Sequence, residues 1–343
     1  MDTEIIDFKS GINEEEIKKT ANAIKEGELV LFPTETVYGI GANGLNEEAV
    51  KKIYIAKGRA SDNPLILHIS NKNMLEQLVE KVDKIEEELI KTFWPGPLTI
   101  IFNKKEVVPD IITAGLKTVA IRMPENEIAR TLIEYANVPI AAPSANISGR
   151  PSGTILDDIK DEFYGKVKFM IDGGKVKIGL ESTVVRVIDN IIHILRPGKI
   201  TKEDFEKLGF KVFIEKQILE KYEKEEKVLS PGIKYKHYAP STKSVLVYGK
   251  DNDKMVKKIN ELSLDKDAVI LCKTQNKEFY NKFKVLEMGS TLEEISSNIF
   301  MLLRKADKLN KELIIIEGVD TEGLGLAIMN RLIRAVSHNF IEI

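Results

Sequence analysis

The strongest constraint on this chain is the recurrence of short apolar runs rich in β-branched residues: LVLF (29–32), LILHI (65–69), LTIIF (98–102), TVAIRM (118–123), VPIAA (138–142), KFMI (168–171), STVVRVI (182–188) and IIHIL (191–195). Runs of this length read as strands, and their mostly apolar character suits a sheet covered on both faces. Helical patterns fall between several of them, at about 47–56, 74–92 and 126–136. Another occupies 13–27, where Asn13 caps, Glu14, Glu15 and Glu16 follow, Ile17, Ala21 and Ile24 share a face, and Gly27 ends the helix. The first two hundred residues therefore predict an α/β domain with a largely buried, mixed sheet.

The pattern breaks at 215–229, which is charged and weakly periodic, and SPGIKYKHYAP (230–240) follows with two prolines and a glycine. We expect a first domain at 1–210, a linker at 211–241 and a second domain at 242–343. In the second, strand patterns VLVY (245–248), AVILC (268–272), KVLEM (284–288) and ELIIIE (312–317) alternate with helices near 252–262, from Ser290 and near 324–337. Ser290 and Glu293 suggest a capping box for the middle helix. This order predicts a smaller doubly wound, Rossmann-like domain. No GxGxxG follows its first strand, so dinucleotide binding is unsupported.

Composition excludes several classes of function. With 51 basic and 53 acidic side chains the net charge is −2, and the chain carries no polybasic nucleic-acid arm, so any functional positive charge must be local. Cys272 is the one cysteine, which rules out an intramolecular disulfide or a cysteine-built metal centre and reads as a buried strand residue. No apolar stretch approaches the roughly 20 residues of a membrane span, and MDTEIIDFKSG lacks a basic-then-hydrophobic leader. The expectation is a cytoplasmic protein without a membrane partner.

Polar residues collect at strand ends, where open α/β sheets bind ligands. Thr34, Glu35 and Thr36 follow the first apolar strand and precede Gly39, Gly41 and Gly44; they suit a hydroxyl-lined wall or an ordinary loop equally. Lys57 and Arg59 follow a helix and precede Asp62, Asn63 and Pro64, which fits phosphate binding or simple C-capping. His68 sits within a strand, more in the manner of a core histidine than a catalytic one. Arg122 lies near the exit of the strand that Thr118 enters; its burial requires an anion, either a structural carboxylate or a ligand. Ser144, Asn146, Ser148 and Ser152 crowd a loop with two prolines and two glycines, a pattern suited to cradling phosphate. Ser182 and Thr183 enter one strand, and Arg196, Pro197, Gly198 and Lys199 end another. No Walker loop, Ser–His–Asp order or histidine metal cluster is present, so the residues alone point to a hydroxyl- and cation-lined anion pocket, for a nucleotide, without naming a substrate.

PTETVYGIGANG, KGR…NPL…H, WPGPLT (94–99), VAIRMP, APSANISGRPSGT, ESTVV and LRPG, in this order, resemble the YrdC-type threonylcarbamoyl-AMP synthases. SPGIKYKHYAP and the terminal GLGLAIMNRLIRA (323–335) resemble the longer two-domain form. The resemblance implies a YrdC-like mixed, twisted sheet with a concave cavity, followed by a linker acting as a lid and a Rossmann-like domain. It implies a nucleotidyltransferase that joins L-threonine, bicarbonate and ATP into threonylcarbamoyl-AMP and pyrophosphate, with Mg²⁺ accompanying ATP. A separate threonylcarbamoyl transferase complex would then use the product on tRNA adenosine beside the anticodon. By the same resemblance Thr36, His68, Arg122, Ala142 and Ser182 fall at threonine-pocket positions. Arg59, Asn63, Thr118, Ser144, Asn146, Ser152, Arg196 and Tyr235 fall on the ATP side, with Lys57 and Arg59 as the catalytic pair; metal ligands stay unassigned.

Two rivals stand beside this reading. A hydrogenase-maturation protein of related fold should carry zinc-finger-like segments, which a single cysteine argues against. A noncatalytic protein holding tRNA or double-stranded RNA in the cationic cavity should bind with steep salt dependence and no need of threonine.

Overall fold

The computed structural model describes residues 2–215, 218 and 238–343. Eleven strands build the first sheet: β1 (Glu4–Asp7), β2 (Val30–Phe32), β3 (Gly39–Asn43), β4 (Ile66–His68), β5 (Leu98–Asn103), β6 (Thr118–Arg122), β7 (Ile140–Ala141), β8 (Phe169–Asp172), β9 (Thr183–Ile188), β10 (Ile191–Arg196) and β11 (Lys211–Ile214). Their spatial order is β1-β8-β2-β3-β7-β4-β6-β5-β9-β10-β11. Parallel and antiparallel neighbours are mixed: β4 runs parallel to β6, whereas β5 runs antiparallel to it. The eight strand runs read from the first two hundred residues all appear. Two were missed: β1, of which only Ile6 is buried, and β3, whose glycine-rich GIGAN has low strand propensity. Lys211–Ile214, inside the expected linker at 211–241, is a strand paired to β10 at the sheet edge.

Around this sheet lie α1 (Glu14–Lys25), α2 (Glu47–Lys57), α3 (Lys72–Leu78), α4 (Lys84–Phe93), α5 (Asp110–Thr113), α6 (Glu127–Ala136), α7 (Lys160–Phe163) and α8 (Lys202–Lys207). Asn13 caps α1 by accepting from the Glu15 and Glu16 amides, as its sequence indicates. The pattern at 74–92 is two helices. Asp83 starts α4 with a capping box to Glu86, and the new cap overrides the continuing apolar period.

The second sheet is entirely parallel, in the order β14-β13-β15-β12-β16, from β12 (Ser244–Tyr248), β13 (Ala268–Lys273), β14 (Lys284–Gly289), β15 (Leu313–Glu317) and β16 (Phe340–Glu342). Helices α9 (Asn252–Ser263), α10 (Leu292–Asp307) and α11 (Leu324–Ala335) cover it. The capping box of α10 sits one residue later than expected, with Thr291 and Glu294 as partners, while the Ser290 amide donates to the same Glu294 carboxylate. Cys272 is buried within β13.

The units share a core. Val37, Leu180 and Tyr238 pack into the apolar cluster formed by α10, α11 and the second sheet. Arg304 of α10, itself buried, donates to the Pro151 and Asp158 carbonyls and pairs with Glu162 at 2.7 Å. Gly179 has φ near +81°, and a Cβ there would lie 2.4 Å from the Ser296 carbonyl oxygen, so only glycine allows the backbones this approach.

Candidate active site

The register of the first sheet assembles the site. His68 on β4 lies opposite Arg122 on β6, and Arg122 lies opposite Thr99 on β5, so the three form one row on one face. Arg122 is 3 % exposed, and its charge is met by Glu35 at 2.5 Å, with the Thr36 hydroxyl at 2.8 Å and the Gly96 carbonyl at 3.2 Å accepting from it. The structural-carboxylate alternative for Arg122 is therefore realised, by a residue on the loop after β2. Burial pushes the Glu35 carboxyl up, but the guanidinium together with backbone amides more than offsets it and holds the group below the usual carboxylate range. Burial, reinforced by Arg122, depresses His68 to about 3, so its imidazole is neutral at physiological pH. Its Nδ1 has no hydrogen-bond partner among the described residues.

The row continues from β5 to the start of the neighbouring β9. The Ser182 and Thr99 hydroxyls are 2.7 Å apart, and Arg196 donates to the Ser182 carbonyl and hydroxyl, both at 3.0 Å. Burial, together with neighbouring Arg331, lowers Arg196 to about 10, still charged at neutral pH. Gly198 makes this approach feasible, because a Cβ there would meet the Thr183 amide nitrogen at 2.4 Å. Arg59 follows the left-handed Gly58 cap of α2 and donates to the Pro64 carbonyl at 3.1 Å. Ser144 bridges to Gly39 and donates to Asn146 Oδ1 at 2.7 Å.

These walls enclose a cleft of about 620 Å³, its open mouth included. Thr36, Arg59, His68, Arg122, Ala142, Ser144, Ser182 and Arg196, all singled out from the sequence, line it. Lys57, Asn63, Thr118, Asn146 and Ser152 do not. The Lys57 ammonium is buried and donates to the Ser144 and Asn146 carbonyls at 2.5 and 2.6 Å, fastening α2 to the serine loop. Burial, and then Arg59, hold it well below the usual lysine range. Asn146 receives the Ser144 hydroxyl and donates to the Ile147 and Arg150 carbonyls. Ser152 donates to Glu181 at 2.6 Å, Asn63 is buried beside Arg59, and Thr118 begins β6 roughly 13 Å from Arg122. Tyr235 lies outside the described residues.

Sequence reasoning gave no role to Thr99 or Glu181, placed Glu35 only in a possible pocket wall, and named Tyr238 only as part of the linker. Glu181 and Tyr238 line the cleft. Both stood within quoted motifs, and Glu181 was detectable as a carboxylate immediately before a buried strand. Tyr238 stacks on Phe300, ring centroids 5.1 Å apart, and so returns the end of the linker to the chamber. Among the described residues no group of three or more His, Cys, Asp and Glu side chains could hold a metal. The two nearest carboxylates, Glu35 and Glu181, are each engaged by an arginine.

A cationic, hydroxyl-rich chamber at the strand ends of an α/β sheet is the kind of site in which such folds hold small anionic ligands. The family model described as "Telomere recombination" (Sua5, YciO and YrdC) matches residues 22–198, and the threonylcarbamoyl-AMP synthase C-terminal domain matches 200–337. A threonylcarbamoyl-AMP synthase of Pyrococcus abyssi is 45 % identical over 99 % of this chain and 100 % of its own length; that of Bacillus subtilis is 41 % identical over 96 % and 95 %. The crystal structure of P. abyssi Sua5 complexed with L-threonine superposes with a TM-score of 0.92 at 45 % identity, covering 99 % of both chains. The chain belongs to the two-domain threonylcarbamoyl-AMP synthase family.

Proposed function

We infer that this protein is an L-threonylcarbamoyladenylate synthase. The observation that carries the reading is the convergence of Arg59, Arg122 and Arg196 with His68, Ser144 and Ser182 on one chamber. Threonine takes up bicarbonate at its amine, losing water, to become an N-carboxylate. One carboxylate oxygen attacks the α-phosphorus of ATP, and the bond to the departing pyrophosphate breaks. No protein nucleophile is needed; orientation and fixed positive charge lower the barrier.

Arg122, already held toward the chamber by Glu35 and Thr36, receives the threonine carboxylate, and neutral His68 offers its unpartnered Nδ1 to polar atoms of the amino acid. Arg59, Ser144 and Arg196 face the triphosphate. Asn63, Thr118, Asn146 and Ser152 act on the nucleotide side as supports of that wall, and Lys57 keeps the serine loop in place. The described residues suit a Mg²⁺ that arrives on nucleotide oxygens, since the nearby carboxylates are occupied; when bound it would neutralise phosphate charge. By the family resemblance Tyr235 is assigned to the ATP side. The product would pass to a threonylcarbamoyl transferase complex acting on tRNA in the cytoplasm.

The test is pyrophosphate release. It is expected to require ATP, threonine and bicarbonate together, and an undiminished rate without threonine would refute the assignment. The RNA-holding alternative has no observation of its own in its favour.

A further inference from the structure

Glu181 is a buried carboxylate in the wall of a chamber that must accept a polyphosphate. Left bare, it would repel that ligand across a low-dielectric gap. Its counter-ion comes from the other domain. Arg331, in the middle of α11 and without solvent exposure, donates from Nε to Glu181 Oε2 at 2.8 Å. The same guanidinium donates to the Pro197 carbonyl at 3.1 Å, beside Arg196, and its Cζ lies 5.7 Å from the ring centre of Tyr238. The second oxygen of Glu181 accepts the Ser152 hydroxyl at 2.6 Å. One side chain of the C-terminal domain thus reaches the β9 entrance, the loop after β10 and the returning end of the linker.

We propose that Arg331 is a positioning residue for ATP: it neutralises Glu181 and braces the Arg196 loop, which makes the second domain part of the nucleotide site. The proposal rests on the synthase reading. It also gives the C-terminal domain a task that GLGLAIMNRLIRA did not disclose. The sequence does mark the residue, because an arginine among Ile328, Met329, Leu332 and Ile333 on a buried helix needs a partner from elsewhere.

The full-length protein is assayed for pyrophosphate release with ATP and threonine varied separately. A wild-type enzyme with no threonine-dependent release would refute the synthase reading, whatever the variants do. Given an active wild type, Arg331→Met is expected to raise KM for ATP roughly tenfold or more while KM for threonine moves less than about threefold, since a buried carboxylate stripped of its partner opposes the anion. Arg331→Lys keeps the charge but not the guanidinium fork, so its KM for ATP should fall between those of wild type and Arg331→Met. Glu181→Gln with Arg331→Met removes both charges and should recover most of the ATP affinity. A normal KM for ATP in Arg331→Met, or equal increases for both substrates, would overturn the proposal. Should Arg331→Met fail to fold, the charge-neutral double variant decides: ATP affinity within a few-fold of wild type supports the proposal, and impairment of tenfold or more for ATP overturns it.

Discussion

At the scale of single residues, the site is a set of buried charges whose partners are all protein groups, and each partnership has a measurable cost when broken. Arg122→Ala is expected to raise the threonine requirement and also to destabilise the fold by about 3 kcal/mol, because Glu35 is left buried without its counter-ion. Threonine-dependent kinetics and chemical denaturation check the two effects separately; a variant with normal threonine dependence would remove Arg122 from the pocket. His68 gives a pH signature. Its folded value of about 3 lies below its ordinary value of 6.5, so the unfolded chain binds a proton that the folded chain refuses. The stability due to neutral His68 is thus complete above pH 6.5 and is lost as pH falls toward 3, amounting to about 2 kcal/mol at pH 5. Denaturation of wild type and His68→Gln between pH 7 and 5 should show the wild type losing more. Positions of both residues were legible from sequence, as a cation and an imidazole inside apolar strands. Their partners were not: Glu35 precedes Arg122 by a long stretch of chain, and only the closed fold brings the two together.

At the scale of elements, periodicity identified strands and helices well where one face had to be buried. It failed where a local device overrode the period. Val79–Asp83 separates α3 from α4 although the apolar spacing continues, and β3 is held by its neighbours in spite of its glycines. The loop after β10 shows how close such devices come to the chemistry. Gly198→Ala would force a Cβ against the Thr183 amide and separate the strand ends that hold Ser182 and Arg196. The expected result is a loss of about 1–3 kcal/mol with weaker ATP use, read by thermal unfolding and by KM for ATP. Cys272 makes the converse case, a reactive group rendered inert by its element. Burial in β13, with Glu317 nearby, raises its thiol to about 12, so a disulfide-exchange reagent should label it only after denaturant is added.

At the scale of the whole molecule, a sheet of eleven strands supplies the chamber and a parallel sheet of five supplies the support behind it. The sequence announced both α/β units, but not their mutual dependence, because residues such as Arg304 and Gly179 look unremarkable until the other domain is against them. Arg304→Met should strip the Pro151 and Asp158 carbonyls of their guanidinium donor and leave Glu162 with only the Ile147 amide and Arg150, lowering stability by roughly 3 kcal/mol and loosening the serine loop. Hydrogen exchange across 146–162 would detect the loosening, and unchanged protection there would contradict it. The stacking of Tyr238 on Phe300 carries the same dependence into ring packing. A genetic screen for lost tRNA modification should therefore recover changes at Phe300 and its apolar neighbours on α10, in tissue of the molecule that touches no reactant. Such alleles would be heat-sensitive rather than dead, since what they erode is the cushion under an aromatic ring and not the instrument that performs the reaction.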